Sequence, residues 1–239
     1  MYRIITFLFL CASASLSVHA KTEWVNHSGF SLLLDCNYRG AIYAHYKTTK
    51  DNGNIGRQSY FTFDPLISTD CQQKSTKTYT HNKVKFDLGH LVPANHMDGS
   101  EIKVKESNYI TNIVPMSSKL NRYGAWRETE KLTECLRDLF TLNVYIGVIY
   151  GENISDDYFL SSHGIPTPDA FWKVIIKKNG ESNAWLIPNL DTVTKDKLDE
   201  LTTTISHIEH LSGITIPNDS VDKDKKNKTW TIPKPCDLS

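Results

Sequence analysis

A long amphipathic segment, residues 121–140, lies between two groups of strand-like stretches. Its apolar residues recur with near-helical spacing and its charged residues fall between them, which predicts a helix packed on a core. A second helix is predicted at residues 194–212, ended by Gly213. Strands are predicted at residues 30–46 (two strands broken near Cys36–Gly40), 57–65, 142–151, 170–176 and 184–188. This order predicts an α+β fold, with a central and largely antiparallel sheet flanked by helices.

The first twenty residues predict a secretory signal peptide that is cleaved after Ala20. Arg3 gives a cationic start, the apolar run that follows is too short to span a bilayer, and Val18–Ala20 places small residues where a signal peptidase cuts. A buried N-terminal strand or helix is the alternative. We therefore expect a secreted or periplasmic protein in which residues 21–239 form a single domain, with a charged tail from about residue 219 and no membrane association.

Four cysteines remain after the predicted cleavage: Cys36, Cys71, Cys135 and Cys236. An even set in an exported chain favours two disulfides, and four cysteines allow three pairings that the sequence does not choose between. We favour Cys36–Cys71, which closes a loop in the N-terminal half, with Cys135–Cys236, which ties the tail to a helix. No Cys-x-x-Cys spacing is present, which argues against a zinc site.

Global charge does not identify a partner, because 27 basic residues balance 27 acidic ones. Nucleic-acid binding depends on a local basic surface, so a neutral chain remains compatible with it. Residues 74–85 are polar and predict a surface loop. The stretch FDLGHLVPANHMDGS, residues 86–100, follows with two glycines and a proline, which oppose a helix.

His90 lies within that stretch, three residues after Asp87. A histidine that titrates near neutral pH is the usual general base, and a side-chain amide oxygen is a suitable ligand for a hard cation. A base with an oxygen-bound divalent ion suits metal-assisted hydrolysis of a phosphodiester. Each residue alone is weak evidence, since most loop histidines are not catalytic and most asparagines at helix starts are only caps.

Five motifs in chain order make the pattern specific: RQSYFTFDP, DLGHLVPA, NYITNIVPMSSKLNRYGAW, AFWKVII and ISHIEHLSGI. Together they resemble the DNA/RNA non-specific endonuclease family of the Serratia-nuclease type, over most of the mature chain. The resemblance implies a nuclease domain with a ββα-metal active site. It also implies an endonuclease that hydrolyses DNA, with RNA expected as a further substrate, leaves 5′-phosphates and shows little sequence preference.

The resemblance also implies a role for each matching residue. His90 matches the general base, and Asn121 matches the residue that binds the divalent metal, Mg²⁺ by expectation or else Mn²⁺ or another divalent cation. Glu130 matches the carboxylate that orients metal-bound water, and Arg57 matches the arginine that steadies the phosphate. The two remaining candidates, expected to shape the site, are Asp87 and Asn112.

The chain departs from the family pattern in two places that bear on activity. Leu88 occupies the position of the signature arginine, so one cation is missing; this favours the alternative of a nuclease-fold nucleic-acid-binding protein with weak or no cleavage. Tyr123 lengthens the segment between Asn121 and Trp126 by one residue, which puts Asn121 and Glu130 nine positions apart. In an ideal helix these side chains would point about 180° apart, so the helix must begin after Asn121 or contain a bulge. If helical periodicity alone decides, Glu128, seven positions after Asn121, is the alternative to Glu130 as the carboxylate near the metal. The oligomeric state is not indicated.

Overall fold

The computed structural model describes residues 21–82, 84–152, 154–217 and 220–236, so the predicted signal peptide lies outside the described residues. The strands form a six-stranded antiparallel sheet of order β1-β2-β3-β7-β8-β9 and a three-stranded sheet of order β4-β5-β6. The strands are β1 (Thr22–Asn26), β2 (Phe30–Asp35), β3 (Gly40–Lys47), β4 (Tyr79–His81), β5 (Val84–His90), β6 (Ile113–Ser117), β7 (Leu142–Ile149), β8 (Ala170–Lys177) and β9 (Ser182–Pro188). The helices are α1 (Glu101–Ser107), α2 (Ser118–Tyr123), α3 (Ala125–Arg137) and α4 (Ile205–Ser212).

Both faces of the large sheet are covered, as the apolar composition of β8 requires. Phe171 and Ile175 point into the core shared with α3 and the small sheet, whereas Trp172 and Val174 point into a second core that includes α4. This period of two is the pleat of a strand buried on both sides. The predicted α+β architecture, a central antiparallel sheet flanked by helices, is confirmed.

Three local predictions are wrong. Residues 57–65 form an irregular loop with a single bridge, Thr62 to Tyr109, instead of a strand. Residues 74–85 are not all loop, because β4 and the start of β5 lie there. The predicted helix at 194–212 is helical only as α4 and a short 3-10 turn at Lys195–Lys197. Between them the chain runs along β9, where the backbone N–H of Thr203 donates to the Ala184 carbonyl.

The C-terminal segment, residues 220–236, is attached to the domain and is not a free tail. The side chain of Asn183 binds it twice, donating to the Lys228 carbonyl at 2.8 Å and accepting from the Trp230 backbone N–H at 2.9 Å. Lys223 pairs with Glu209 of α4 at 2.7 Å. The charged residues of the C-terminal segment therefore help to bind it to the rest of the domain.

Both favoured disulfides are present, Cys36–Cys71 and Cys135–Cys236. The second bond joins α3 to the C-terminal segment across 101 residues of sequence, against 35 for the first. Closing a longer loop restricts the unfolded chain more, so the second bond contributes more in the chain-entropy description.

Replacing both Cys135 and Cys236 with serine is expected to lower the free energy of unfolding by about 2–5 kcal/mol. Denaturant unfolding of this variant, beside the matched Cys36→Ser/Cys71→Ser variant, measures the difference. A larger loss from the Cys36–Cys71 pair would show that loop length does not govern stability here.

Candidate active site

His90 is the last residue of β5, and its position depends on close contact between two backbones. β5 pairs with β6 so that Gly89 faces Val114 and His90 faces Ile113. A Cβ atom at Gly89 would lie 2.5 Å from the Cβ of Met116, closer than atoms pack. Gly89 thus permits the strand pairing that sets His90 at the mouth of a cavity of about 1000 Å³.

Asn108 fixes the tautomer of His90. The Asn108 amide nitrogen donates to the carbonyls of Gln58 and Tyr60, at 3.1 and 3.2 Å, which identifies the other amide atom as oxygen. That oxygen lies 2.8 Å from His90 Nε2. An amide oxygen only accepts, so Nε2 carries the proton and Nδ1 holds the free lone pair. Nδ1 is therefore the atom that can take up a proton.

The surroundings of His90 keep its imidazole neutral. The pKa of His90 is lowered from 6.5 to about 4: burial lowers it most, the hydrogen bond to Asn108 acts in the opposite direction, and the positive charge of Arg57 adds to the lowering. A neutral imidazole at neutral pH is the form that acts as a base.

Asp87 organises the start of the helix that bears Asn121. Its carboxylate accepts hydrogen bonds from Asn121 Nδ2 at 2.9 Å and from the Ser118 hydroxyl at 2.8 Å, and Arg122 binds it through two nitrogens at 2.7 and 2.8 Å. Burial acts to raise the pKa of Asp87, but these three partners outweigh it and lower that pKa. The carboxylate thus holds the nitrogen end of the Asn121 amide and leaves the oxygen end available.

The helix breaks between Asn121 and Glu130, as the spacing required. α2 ends at Tyr123, Gly124 is extended with φ −88° and ψ −165°, and α3 begins at Ala125. A Cβ at Gly124 would lie 2.6 Å from the Val193 carbonyl oxygen, so a larger residue would displace this junction. The break allows Asn121 and Glu130 to line one cavity although they are nine positions apart.

Glu130, and not Glu128, lines the cavity. Its carboxylate is buried and accepts a hydrogen bond from Arg127 at 3.2 Å. Glu128 instead lies 3.8 Å from Lys131 on the helix surface. The structure thus selects Glu130 from the two carboxylates that periodicity left open.

The cavity brings together five of the six predicted site residues. They are Arg57, Asp87, His90, Asn121 and Glu130. The sixth, Asn112, is fully buried, and its side chain bonds to the N–H and carbonyl of Val92 and to the Ser107 carbonyl. It does not line the cavity, and its contacts hold the chain that follows His90, in keeping with an expected role in shaping the site.

Further residues at the cavity or on His90 were not predicted, among them Lys85, Asn95, Asn108, Arg122 and Arg127. Asn108 and Arg122 lie inside the quoted motif, next to Tyr109 and Asn121, so motif adjacency could have indicated them. Leu88 also lines the cavity and packs on the core at the position where an arginine was expected.

The cavity is cationic although the chain is neutral overall. Four basic side chains line it, against two carboxylates: Arg57, Lys85, Arg122 and Arg127, with Asp87 and Glu130. Such an excess in a concave site attracts polyanions. Arg122 remains accessible, with 60% of its side chain exposed.

The donor set suits an oxygen-preferring cation. Asn121 offers an amide oxygen, Glu130 offers a carboxylate, and Asn95 has a buried side-chain oxygen without a hydrogen-bond partner. Within the described ranges, the sole close group of three His, Cys, Asp or Glu ligands is Glu23 with Cys36 and Cys71, and both cysteines are disulfide-bonded. Few protein ligands and room for water fit Mg²⁺ or Mn²⁺ better than zinc.

Comparisons with known proteins agree with this geometry. A sequence model of the DNA/RNA non-specific endonuclease family matches residues 12–223. The chain belongs to this family. It is accordingly a non-specific nuclease. It is 28% identical to a nuclease of Serratia marcescens over 207 residues, which cover 81% of this chain and 76% of that protein. It is 26% identical to mitochondrial endonuclease G of Bos taurus over 208 residues, 81% of this chain and 69% of that protein.

The fold comparison gives the same architecture. A chain in the crystal structure of an EndoG/EndoGI complex superposes with a TM-score of 0.67 at 19% sequence identity, covering 81% of this chain and 84% of that one. At this identity the match concerns the fold alone. Among the described residues of this nuclease, no helix has the length and apolar character needed to cross a membrane.

Proposed function

We propose that this nuclease is an exported, divalent-metal-dependent endonuclease that hydrolyses phosphodiester bonds of DNA and RNA and leaves 5′-phosphates. The observation that carries the proposal is a cationic cavity that joins a neutral, tautomer-fixed His90 to the Asn121 amide and the Glu130 carboxylate. Contacts directed at the phosphate backbone carry no base information, so little sequence specificity is expected.

In the proposed mechanism His90 Nδ1 removes a proton from water while the water oxygen bonds to phosphorus. The bond between phosphorus and the 3′-oxygen breaks, the 3′-oxygen takes up a proton from solvent, and the phosphate stays on the 5′ side. Asn121 would hold the divalent cation through its side-chain oxygen, and Glu130 would orient water around it. A bound cation supplies positive charge to the phosphate as its negative charge increases. Arg57 adds a planar guanidinium suited to paired phosphate contacts.

Export rests on the predicted signal peptide at residues 1–20 and is supported by the two disulfides, which persist in oxidising compartments. Residues 21–239 would then form one nuclease domain.

The function is tested by incubating the purified mature protein with supercoiled plasmid and, separately, with RNA in Mg²⁺. We expect nicked and linear DNA, then fragments, with 5′ ends that accept a radiolabel only after phosphatase treatment. Intact nucleic acid, or ends that are labelled without phosphatase, would refute the proposal.

Activity is expected to extend to lower pH than an ordinary histidine would allow. The neutral form of His90 is the base, so activity is kept above its pKa of about 4 and lost as pH falls through that value. Arg57→Gln removes a charge that lowers this pKa, so the acid limb should move to higher pH. Profiles of kcat/KM between about pH 4 and 8 test this. The prediction would be contradicted if the wild-type activity fell off with a pKa near 6.5 and Arg57→Gln left that pKa unchanged.

Leu88→Arg is expected to speed cleavage or tighten substrate binding, because it adds a cation to the cavity wall. One charge-assisted hydrogen bond contributes about 1.4 kcal/mol, roughly tenfold in KM. Leu88→Gln, similar in size but uncharged, is the matched control for steady-state kinetics on plasmid. If Leu88→Arg has the same kcat and KM as Leu88→Gln, Arg122 or Arg127 already fills the role and a cation at position 88 is dispensable.

A further inference from the structure

The side-chain oxygen of Asn95 is a buried acceptor that lacks a hydrogen-bond partner. Asn95 lies in the 3-10 turn Ala94–His96, shortly after His90, and lines the same cavity as Asn121 and Glu130. Buried polar atoms are paired in the great majority of cases, and an exception at a functional cavity calls for a specific cause.

The orientation of the Asn95 amide is set by Glu134. The amide nitrogen donates to Glu134 Oε2 at 3.0 Å, and Arg137 holds the other carboxylate oxygen at 2.5 Å. Burial raises the pKa of Glu134 to about 7, and the contact with Arg137 acts in the opposite direction. With Glu134 ionised, the reverse orientation would place the amide oxygen against a carboxylate oxygen, with no proton between them. The nitrogen end therefore faces Glu134, and the oxygen end is the one without a protein partner.

Asn95 and Asn121 are held in the same manner. Each amide gives its nitrogen to a carboxylate, Glu134 in one case and Asp87 in the other, and each is left with its oxygen. Glu134 lies four positions after Glu130 on α3, so both carboxylates are on one helix face. Asn95 is thereby held through Glu134 to the helix face that bears Glu130, and both residues line the cavity.

The neighbouring His96 has protein groups close to both ring nitrogens, although its Nε2 makes no hydrogen bond. His96 Nδ1 lies 2.7 Å from the Tyr46 hydroxyl, and Nε2 lies 3.0 Å from Glu134 Oε2. Both ring nitrogens thus face protein groups, whereas Asn95 retains an unused acceptor.

We infer that Asn95 Oδ1 belongs to the cation site, as an acceptor for water bound to the divalent cation that Asn121 holds. This inference rests on the proposed function, since it presupposes that cation. It adds a second amide oxygen to the site and gives Glu134 and Arg137 the role of positioning residues, which act by holding Asn95. Groups in this position typically change metal affinity by about 10–100-fold when removed.

The test is Mn²⁺ affinity, measured without substrate from the electron paramagnetic resonance signal of free Mn²⁺. Asn95→Ser replaces the amide with one shorter hydroxyl, which cannot occupy the positions of both Nδ2 and Oδ1, and we expect its Kd for Mn²⁺ to rise about tenfold or more. The matched control is Asn179→Ser, because the Asn179 amide also donates to a glutamate, Glu181, at 2.8 Å, but on an exposed turn. Its Kd should equal that of the wild type.

A Kd for Asn95→Ser within about twofold of the wild type would overturn the inference. Asn121→Ala separates this failure from failure of the proposed function: Mn²⁺ binding that Asn121→Ala leaves unchanged would refute the metal site itself. Should Asn95→Ser fail to fold, Asn95→Gln is the second variant. It keeps the amide nitrogen and the amide oxygen but displaces both by one methylene. The same loss of Mn²⁺ affinity is then expected, and an unchanged Kd would again overturn the inference.

Discussion

Replacing His90 with alanine is expected to lower the rate of plasmid cleavage by about 10²–10⁴-fold, the range that a positioned general base contributes. Nδ1 of His90 holds the free lone pair because Asn108 accepts the proton on Nε2. No other histidine lines the cavity, within the part of the chain that the structure describes. Initial rates of nicking in saturating Mg²⁺ measure the loss.

The matched control is His207→Ala, an exposed histidine on α4 that should cleave at the wild-type rate. Binding of a short duplex should survive in His90→Ala, since the basic side chains remain. A variant at His90 that cleaves as fast as the control would remove the residue from the proposed mechanism.

Replacing Asn121 with alanine is expected to reduce cleavage by about 10²-fold or more at fixed Mg²⁺, because positive charge at the leaving oxygen would be lost with the cation. Raising Mg²⁺ should restore part of the rate, which distinguishes weakened metal binding from loss of a chemical group. His90→Ala should show no such recovery. Rates measured across a Mg²⁺ titration provide the comparison, with Asn179→Ala as the exposed asparagine control.

A wild-type response to Mg²⁺ in Asn121→Ala would contradict the assignment of this side chain to the metal. Equal recovery of both variants at high Mg²⁺ would also contradict it, since the two residues would then not have separate roles.

Local sequence pattern predicted those elements whose side chains meet a uniform environment. β7 and β8 are buried on both faces along their length, so their apolar runs were read correctly. The break at Gly124 was also predictable, because the spacing of Asn121 and Glu130 is incompatible with one straight helix. The periodicity of apolar residues is therefore sufficient to identify a strand or helix whose surroundings stay the same along its length.

The errors arose where distant residues determine the backbone. Residues 57–65 alternate like a strand, but the carbonyls of Gln58 and Tyr60 are bound by the side chain of Asn108, about fifty positions later in the chain. Gly89 is not helical, as expected, but its place in β5, where Met116 on β6 leaves no room for a Cβ, was not predicted. Neither partner can be identified from the adjacent sequence.

The site shows the same division. His90, Asn121, Glu130, Arg57 and Asp87 were found because they occur in an ordered motif, whereas Asn95 and Asn108 act through hydrogen bonds that only the fold reveals. The Asn108 contact decides which nitrogen of His90 would be the base in the proposed mechanism. The sequence therefore indicated which residues line the cavity, but not which nitrogen of His90 is free to take up a proton.

Removal and return of the metal tests the central claim most directly. Wild-type protein treated with a chelator and then dialysed is mixed with supercoiled plasmid, and the nicking rate is followed before and after Mg²⁺ is added. We predict no cleavage above background without the cation and full recovery on its return, with Asn121→Ala recovering only at much higher Mg²⁺. Cleavage that continues at the wild-type rate in excess chelator would contradict a metal-dependent mechanism at this cavity.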